Sequence, residues 1–427
     1  MNIGCPPTNA VAFKISRSQE NGYATGGVGL PLSVWPCQNS GLSPMKTPMP
    51  AGTSILILHA TAGAGHKRAA EAISAALKDT HQEHRVVDTL ECTTAFFHRM
   101  YVKSYISLVQ KAPELWGYFY DRSDAAFRPT SKSARARLAF DKLNSRAFRK
   151  LIEETKPGLI VCTHFLPLEL LSDLKGRKKL NIPVHAVITD VSPHAFWVYP
   201  NIEHYYVATP SAARELSRKG YPAEQISVTG IPVDPIFANR TPSSEARAKL
   251  GLLEKPTILL LSGGFGIGPM KQMLSSFADC RDELSLVVVA GKNAALEKEC
   301  RVVAENLPVP AKVFGFINNM HELMDAADLV VTKPGGLTTM EVLAKGKPLA
   351  LVAPIPGQEQ RNAEYLLEEG AAVRLHDVAD AAYYLRRWLS DPVRIRRIAV
   401  AAQALAKPFA AREIAGMLVE TLGKTAR

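Results

Sequence analysis

A chain of 427 residues, 47% hydrophobic and 21% charged, is too long for one core and suits two domains of ordinary size. Its apolar runs break well short of the roughly 18 residues that a membrane span needs, so a spanning helix is excluded. The formal charge of +11 points to an acidic partner, which fits nucleic acid, anionic lipid headgroups and phosphorylated substrates alike.

Residues 1–52 are rich in Gly, Pro, Ser, Thr and Asn and lack hydrophobic periodicity, which predicts a disordered leader. It has no basic stretch followed by an apolar core, so a secretory signal is not expected, and Met45 and Met49 are alternative starts. The six cysteines (Cys5, Cys37, Cys92, Cys162, Cys280, Cys300) show no C-x-x-C spacing, which reads as reduced thiols in a cytoplasmic protein.

Residues 54–59 (SILILH) predict a buried first strand, and 60–66 a turn into a helix with the small face Ala69, Ala70, Ala72 and Ile73. Gly63-x-Gly65 resembles the opening of a dinucleotide fingerprint, with Asp88 placed about where a ribose-binding acid would sit. The third glycine position holds Arg68, however, which argues against a nicotinamide or flavin enzyme. His66 is presented at the helix start, where the dipole disfavours an imidazolium. A neutral base and a histidine capping the turn are both open there.

Residues 93–124 carry an apolar stripe at helical spacing (Phe96, Phe97, Met100, Tyr101, Tyr105, Ile106, Leu108, Val109) and a second aromatic group at Trp116, Tyr118, Phe119 and Tyr120. A basic run follows, including Arg135, Arg137, Arg146 and Arg149. Such a segment either dips into lipid, its cations meeting anionic headgroups, or packs its stripe on the core beneath a solvated basic face. Strands at 159–163 and 184–189 end in polar residues, and Asp190, His194 and Trp197 follow the second. Asp190 and His194 either position a substrate or cap a turn. His185, alternating within an apolar strand, reads as a satisfied core residue. Pro232, Pro235 and Pro242 mark 230–244 as an interdomain linker.

The second domain opens with a buried strand at 257–262 that delivers Gly263, Gly264, Phe265, Gly266, Ile267 and Gly268. A strand at 328–331 runs into Lys333-Pro334-Gly335-Gly336, with a helix from about Leu337. Strand, glycine turn and helix make an anion site, since backbone N–H groups can approach a phosphate and the helix dipole points at it. Glu341, one turn in, suits ribose hydroxyls. The next unit ends at 354–357 (PIPG), and its helix opens with Gln358, Glu359, Gln360, Arg361 and Asn362, a set of sugar-hydroxyl partners. Together the two turns suggest a nucleotide sugar. One amphipathic helix is predicted over 394–422. No D-x-D motif or His/Cys array appears, so neither a metal nor a cofactor is expected beside the donor.

These motifs resemble family 28 glycosyltransferases, the group holding MurG, plant monogalactosyldiacylglycerol synthase and the bacterial processive diacylglycerol glucosyltransferases. The resemblance runs from about Ser54 to about Leu405. It implies the GT-B fold: α/β, two doubly wound Rossmann-like domains facing a cleft. The acceptor and membrane-binding domain would span 53–235, the UDP-sugar domain 243–405, and a helix at 406–427 would return toward the first domain. His66 matches the histidine proposed as catalytic base in the galactolipid synthases, although plant forms carry glycines where this chain has Ala62 and Ala64. Phe316 and Ile317 resemble the loop that meets uracil. Gly263, Gly264, Phe265, Gly335, Gly336, Glu341, Gln358, Glu359, Gln360 and Asn362 would hold the donor. Asp190, His194 and Trp197 match TD-x-x-x-H-x-x-W, and the insertion with Arg135, Arg137, Arg146 and Arg149 would dock an anionic membrane. The implied activity is inverting transfer from UDP-galactose or UDP-glucose, galactose slightly favoured, to 1,2-diacylglycerol by a cytoplasmic, peripheral membrane enzyme. A MurG-like transferase of N-acetylglucosamine to a polyprenyl lipid and a UDP-sugar epimerase are the rivals within the fold. A nucleic-acid binder, suggested by charge alone, leaves both glycine loops unexplained, and nucleic acid is not expected as a partner.

Overall fold

The structure, a computed structural model, describes residues 52–61, 63–126, 138, 146–264, 266, 268–281 and 283–425. The expected leader, Cys5, Cys37, Arg135, Arg137 and Phe265 lie outside the described residues.

Two six-stranded sheets carry the chain, and every strand pair in them is parallel. The first contains β1 (Ile55–His59), β2 (His84–Asp88), β3 (Leu159–Cys162), β4 (Val184–Val187), β5 (His204–Val207) and β6 (Ile226–Val228), in the order β2-β1-β3-β4-β5-β6. The second contains β7 (Thr257–Leu261), β8 (Ser285–Val289), β9 (Ala311–Phe314), β10 (Leu329–Thr332), β11 (Leu349–Leu351) and β12 (Ala372–Arg374), in the order β12-β11-β10-β7-β8-β9. Helices cover both faces, so the strands have no solvent face and read as unbroken apolar runs. Their side chains still alternate. Ile55, Ile57, Leu159 and Val161 enter one core, while Leu56, Leu58, Ile160 and Cys162 enter the core on the opposite face. In the second sheet Ile258 and Leu260 separate from Leu259 and Leu261 in the same way.

Each strand order reverses once, between β1 and β3 in the first sheet and between β7 and β10 in the second. Ligands of doubly wound sheets bind outside the strand C-termini at such a switch point. Here those four C-termini deliver the turn before His66, Thr163-His164, the glycine loop from Gly263, and Lys333-Pro334-Gly335.

Beyond β6 the chain is fastened to the second domain. Arg240 donates to the Ala344 carbonyl at 3.0 Å, and the buried Lys345 pairs with Asp325 at 2.6 Å while also donating to Asn239 O. The expected single helix over 394–422 is instead two, Pro392–Leu405 and Ala410–Thr425. The reason is Pro408, which lacks an N–H and disfavours helical backbone at Lys407 before it. The break redirects the last helix onto the first domain, where Ile414, Ala415 and Leu418 share a core with Ile55, Ile73 and Leu77. His185 is a satisfied core residue, its Nδ1 3.1 Å from the Tyr206 hydroxyl. Among the described residues no helix is long and apolar enough to cross a membrane, and the described cysteines are free thiols.

The aromatic segment forms two helices, Ala95–Lys111 and Pro113–Ala126. Its apolar side chains divide between core and surface. Phe97 is buried with Ala60, Leu90 and Leu166 and stacks on Tyr101 at 5.7 Å, whereas Phe96, Met100, Leu115, Tyr118 and Phe119 are exposed. Arg146 and Arg149 are exposed on the Arg146–Thr155 helix, which buries Phe148, Leu151 and Ile152 on its other side.

Candidate active site

His66 lies in the first turn of the Ala64–Asp79 helix, and the ends of two strands hold its ring. Its Nδ1 is 2.9 Å from the Thr163 carbonyl and 2.8 Å from the Thr189 hydroxyl, while Thr163 Oγ1 donates to the His66 carbonyl at 2.9 Å. A carbonyl only accepts, so Nδ1 carries the proton and Nε2 presents its lone pair. His164 stands edge-on to the ring at 4.5 Å, and Trp197 lies 6.3 Å away. Burial pushes the imidazole pKa down to about 4, with neighbouring His59 acting in the same direction and the Thr163 bond opposing. The result is a neutral ring with a fixed tautomer, the form a general base requires.

The same burial sets an acid limit on stability. Burial holds His66 at about 4, His185 at about 3 and His164 well below its ordinary value of 6.5, so each takes up a proton more readily in the unfolded chain. Stability from these groups is complete above pH 6.5 and is lost as pH falls through that value toward their folded pKa values. Asp190, raised by burial to about 6, and Glu341, raised by burial to about 7, act oppositely but are fewer. Calorimetry is expected to show the melting temperature falling from about pH 6.5 to about pH 4.5; an unchanged or rising value would mean the buried histidines do not dominate.

On the facing domain, Gly335 caps the Gly336–Ala344 helix with no side-chain hydrogen bond, which leaves the first-turn N–H groups to the cleft. The domains approach closely at this point. A methyl group on Gly336 would stand 2.4 Å from the Thr189 carbonyl, and one on Gly264 would stand 2.9 Å from Ala64 Cβ. The starts of the His66 helix and of the Gly336 helix therefore confront each other across the cleft. Lys333 pairs with Glu359 at 3.6 Å, and Glu359 also accepts from Ile355 N at 2.9 Å, which ties the two donor-side loops together. Gly263, at φ +77°, has nothing beside it, whereas Gly266, at φ +64°, packs under the Ala290 carbonyl and Asn293. Gly266 thus serves packing, and Gly263 is free of neighbours among the described residues. Phe316 is exposed with Lys292 Nζ 5.1 Å over its ring, and Ile317 packs against the core.

Glu341 is buried on the cleft side of the Gly336–Ala344 helix. One oxygen lies 2.6 Å from the Arg68 guanidinium of the opposite domain, and Oε2 has no partner among the described residues. The Gln358–Glu368 helix sends other residues across. Gln358 donates to Asp190, which also bonds Trp197. Asn362 is wholly engaged, accepting from Val191 N and donating to the Pro334 carbonyl, both at 3.1 Å. Gln360 lies about 200° round the helix from Gln358. It is exposed and donates to Glu364 at 3.0 Å, so the helix does not bring it to the cleft.

Arg361 grips the Pro113–Ala126 helix, pairing with Asp124 at 2.6 Å and Asp121 at 3.0 Å and lying 5.2 Å over the Tyr120 ring. The backbones interlock there as well: a methyl on Gly117 would meet Pro356 at 2.5 Å, and one on Gly357, at φ +89°, would meet Tyr120 at 2.8 Å. His194 caps the Ala195–Trp197 turn through Nδ1 and meets the Tyr120 carbonyl through Nε2 at 3.0 Å. Asp88 likewise caps its turn, accepting from Leu90 N at 3.0 Å and Thr61 N at 3.3 Å. Sequence reasoning missed Thr163 and Thr189 as holders of the His66 ring and Arg68 and Arg361 as cross-cleft groups. The signal for Arg68 was its place in the glycine fingerprint, where a bulky residue needed a reason.

Two doubly wound domains whose switch points face each other, one bearing a neutral imidazole and the other a glycine turn at a helix start, make the GT-B arrangement. Residues 66–233 match the family described as Monogalactosyldiacylglycerol (MGDG) synthase, and residues 263–386 match the Glycosyltransferase family 28 C-terminal domain. A processive diacylglycerol beta-glucosyltransferase of Bacillus cereus (strain AH187) is 31% identical over 379 residues, covering 86% of this chain and 92% of that protein. Its counterpart in Bacillus thuringiensis (strain Al Hakam) is 30% identical over 377 residues, covering 86% and 93%. The chain belongs to this family, the monogalactosyldiacylglycerol synthase group of family 28 glycosyltransferases. MurG of Acinetobacter baumannii, 15% identical over 87% of this chain and 100% of its own with a TM-score of 0.56, shares the fold. So does Anabaena Alr3699/HepE in complex with UDP-glucose, 16% identical over 87% and 99% with a TM-score of 0.51.

Proposed function

We propose that the protein moves a hexose from a UDP-sugar to the free hydroxyl of 1,2-diacylglycerol at an anionic membrane surface, inverting the anomeric centre. The observation that carries this reading is the neutral His66, held through Nδ1 so that Nε2 is unprotonated, on a helix start whose Gly65 lies against Leu337 of the Gly336 helix. The acceptor oxygen attacks the anomeric carbon and gives its proton to Nε2. The bond from that carbon to the diphosphate breaks, and UDP leaves with the electron pair. Free N–H groups at the helix start and Lys333 meet the developing charge without need of a metal. One displacement turns an α-linked donor into a β-glycoside.

Glu341 Oε2 takes the ribose hydroxyls, Phe316 and Ile317 border the base, and the loop from Gly263 closes over the diphosphate. Gln358 and Glu359 stand nearest the hexose, and Asp190 and Trp197 border the acceptor. Relatives named as diacylglycerol beta-glucosyltransferases that align over 92% of their length support diacylglycerol as acceptor and glucose as the transferred hexose. Exposed Phe96, Met100, Leu115, Tyr118 and Phe119 supply an apolar docking face, with a hollow of about 410 Å³ bordered by Ala95, Phe96, Arg99 and Met100. Exposed Arg146 and Arg149, with Arg135 and Arg137 beside them in sequence, favour anionic headgroups and a peripheral, cytoplasmic enzyme.

The test is incubation of the purified full chain with diacylglycerol in anionic vesicles and, separately, UDP-glucose, UDP-galactose and UDP-N-acetylglucosamine. A β-linked glycolipid from UDP-glucose or UDP-galactose is expected. Product only from UDP-N-acetylglucosamine, only with a polyprenyl acceptor, or without any acceptor would overturn the proposal.

A further inference from the structure

Arg68 is two residues past His66 on the same helix, yet its guanidinium contacts the other domain, 2.6 Å from Glu341 Oε1. Glu341 is 1% exposed, and Oε2 is buried without a partner among the described residues. A buried acceptor left unmade costs about 1–3 kcal/mol, so an oxygen held in this state calls for a ligand that donates to it. Its place one turn into the helix behind the glycine turn suits a vicinal diol attached to a diphosphate.

We propose that Arg68 is a positioning residue for the nucleoside diphosphate donor: from the acceptor domain it pairs with and aims the Glu341 carboxylate, so that the ribose site is complete only when the domains close. This rests on the reading of Glu341 as a donor ligand. Two charged groups face the carboxylate, Arg68 from the His66 helix and Asp234 from the linker. Burial raises Glu341 to about 7, Asp234 pushes the same way, and Arg68 alone opposes. Without the guanidinium the carboxyl pKa rises further, so the proton stays on above neutral pH and the group loses acceptor capacity for the diol. Because Arg68 and His66 share one rigid helix, the contact that readies the ribose site is made in the same approach that brings the base to the sugar. The donor is then held firmly only where its anomeric carbon can be attacked by the acceptor. The bulky residue at the third fingerprint position serves that contact instead of packing on a strand.

The test is calorimetric titration with UDP of the parent, Arg68→Gln, Arg68→Lys, Glu341→Gln and the Arg68→Gln/Glu341→Gln pair, at about pH 7.5, just above the parent carboxyl's value of about 7, and at about pH 9.5. Arg68→Gln is expected to weaken UDP about tenfold at the lower pH, the scale of one charge-assisted hydrogen bond. Most of that loss should return at the higher pH, where the carboxyl ionises again. Arg68→Lys should stay close to the parent, and Arg68→Gln should add little to Glu341→Gln. In steady state the donor KM should rise while kcat at saturating donor stays nearly constant. Equal UDP affinity in parent and Arg68→Gln at both pH values would overturn the proposal, as would a loss that ignores pH and adds in full to Glu341→Gln. A parent that does not bind UDP would overturn the donor reading itself, and this inference with it.

Discussion

Replacing His66 with alanine is expected to lower transfer by roughly 10²–10⁴-fold, the range of general base catalysis, while UDP binds as it does to the parent. The separation follows from where the side chain is held. Its ring is fixed by Thr163 and Thr189 of the acceptor domain, and the proposed donor contacts belong to the other domain. Asparagine should not rescue the rate, since neither atom of an amide is basic enough to take the acceptor's proton. With Nδ1–H bonded to a carbonyl, the neutral form persists down to about pH 4, so the rate should show no acid limb near pH 6.5 from this group. Turnover by His66→Ala within about tenfold of the parent would remove the residue from the base role.

Gly336→Ala is expected to reduce kcat/KM about 10²-fold, the scale of an error near 1 Å in the placement of reacting groups. Helix propensity alone predicts the opposite sign for stability, because alanine is favoured over glycine by up to about 1 kcal/mol in a helix. Here the methyl would lie 2.4 Å from the Thr189 carbonyl, a backbone atom that cannot rotate aside. The domains must part, and Thr189, whose hydroxyl bonds His66, moves or loses its distance to the donor side. The melting temperature should therefore hold while catalysis falls. Activity close to that of the parent would show that the segment after β4 yields to the methyl at little cost.

The fold was legible because a parallel sheet buries both faces of its strands, so the runs at 55–59, 257–261 and 329–332 stand out as unbroken apolar segments, each ending in a polar or glycine turn. His66 and the Gly335-Gly336 turn could be read for the same reason, since a strand, a short turn and a helix start fix which backbone groups point out of the sheet. What could not be read is which residue of one domain answers which residue of the other. Arg361 and Asp124 are 237 positions apart, and nothing local to either announces the pair. Within the Gln358–Asn362 cluster, residue type suggested sugar ligands, but rotation along the helix turns Gln360 to solvent and Arg361 toward an aspartate pair. The aromatic segment resisted a single reading because neighbouring phenylalanines, Phe96 and Phe97, lie on opposite sides of the same turn. The break at Pro408 was legible in principle, and the continuous apolar pattern around it concealed it.

The interlock between the Pro113–Ala126 helix and the turn before Gln358 bears on how this family can be recombined. Gly117 fits only against Pro356, Gly357 fits only beneath Tyr120, and Arg361 needs Asp121 and Asp124 opposite it. These positions lie on different halves of the chain, on either side of the linker where two parents would naturally be spliced. A hybrid joining the first half of one parent to the second half of another inherits one side of each fit from each source. Where the parents differ at these positions, splicing at the linker alone is expected to yield halves that meet badly, and residues 113–126 and 354–361 should travel together as one transplant.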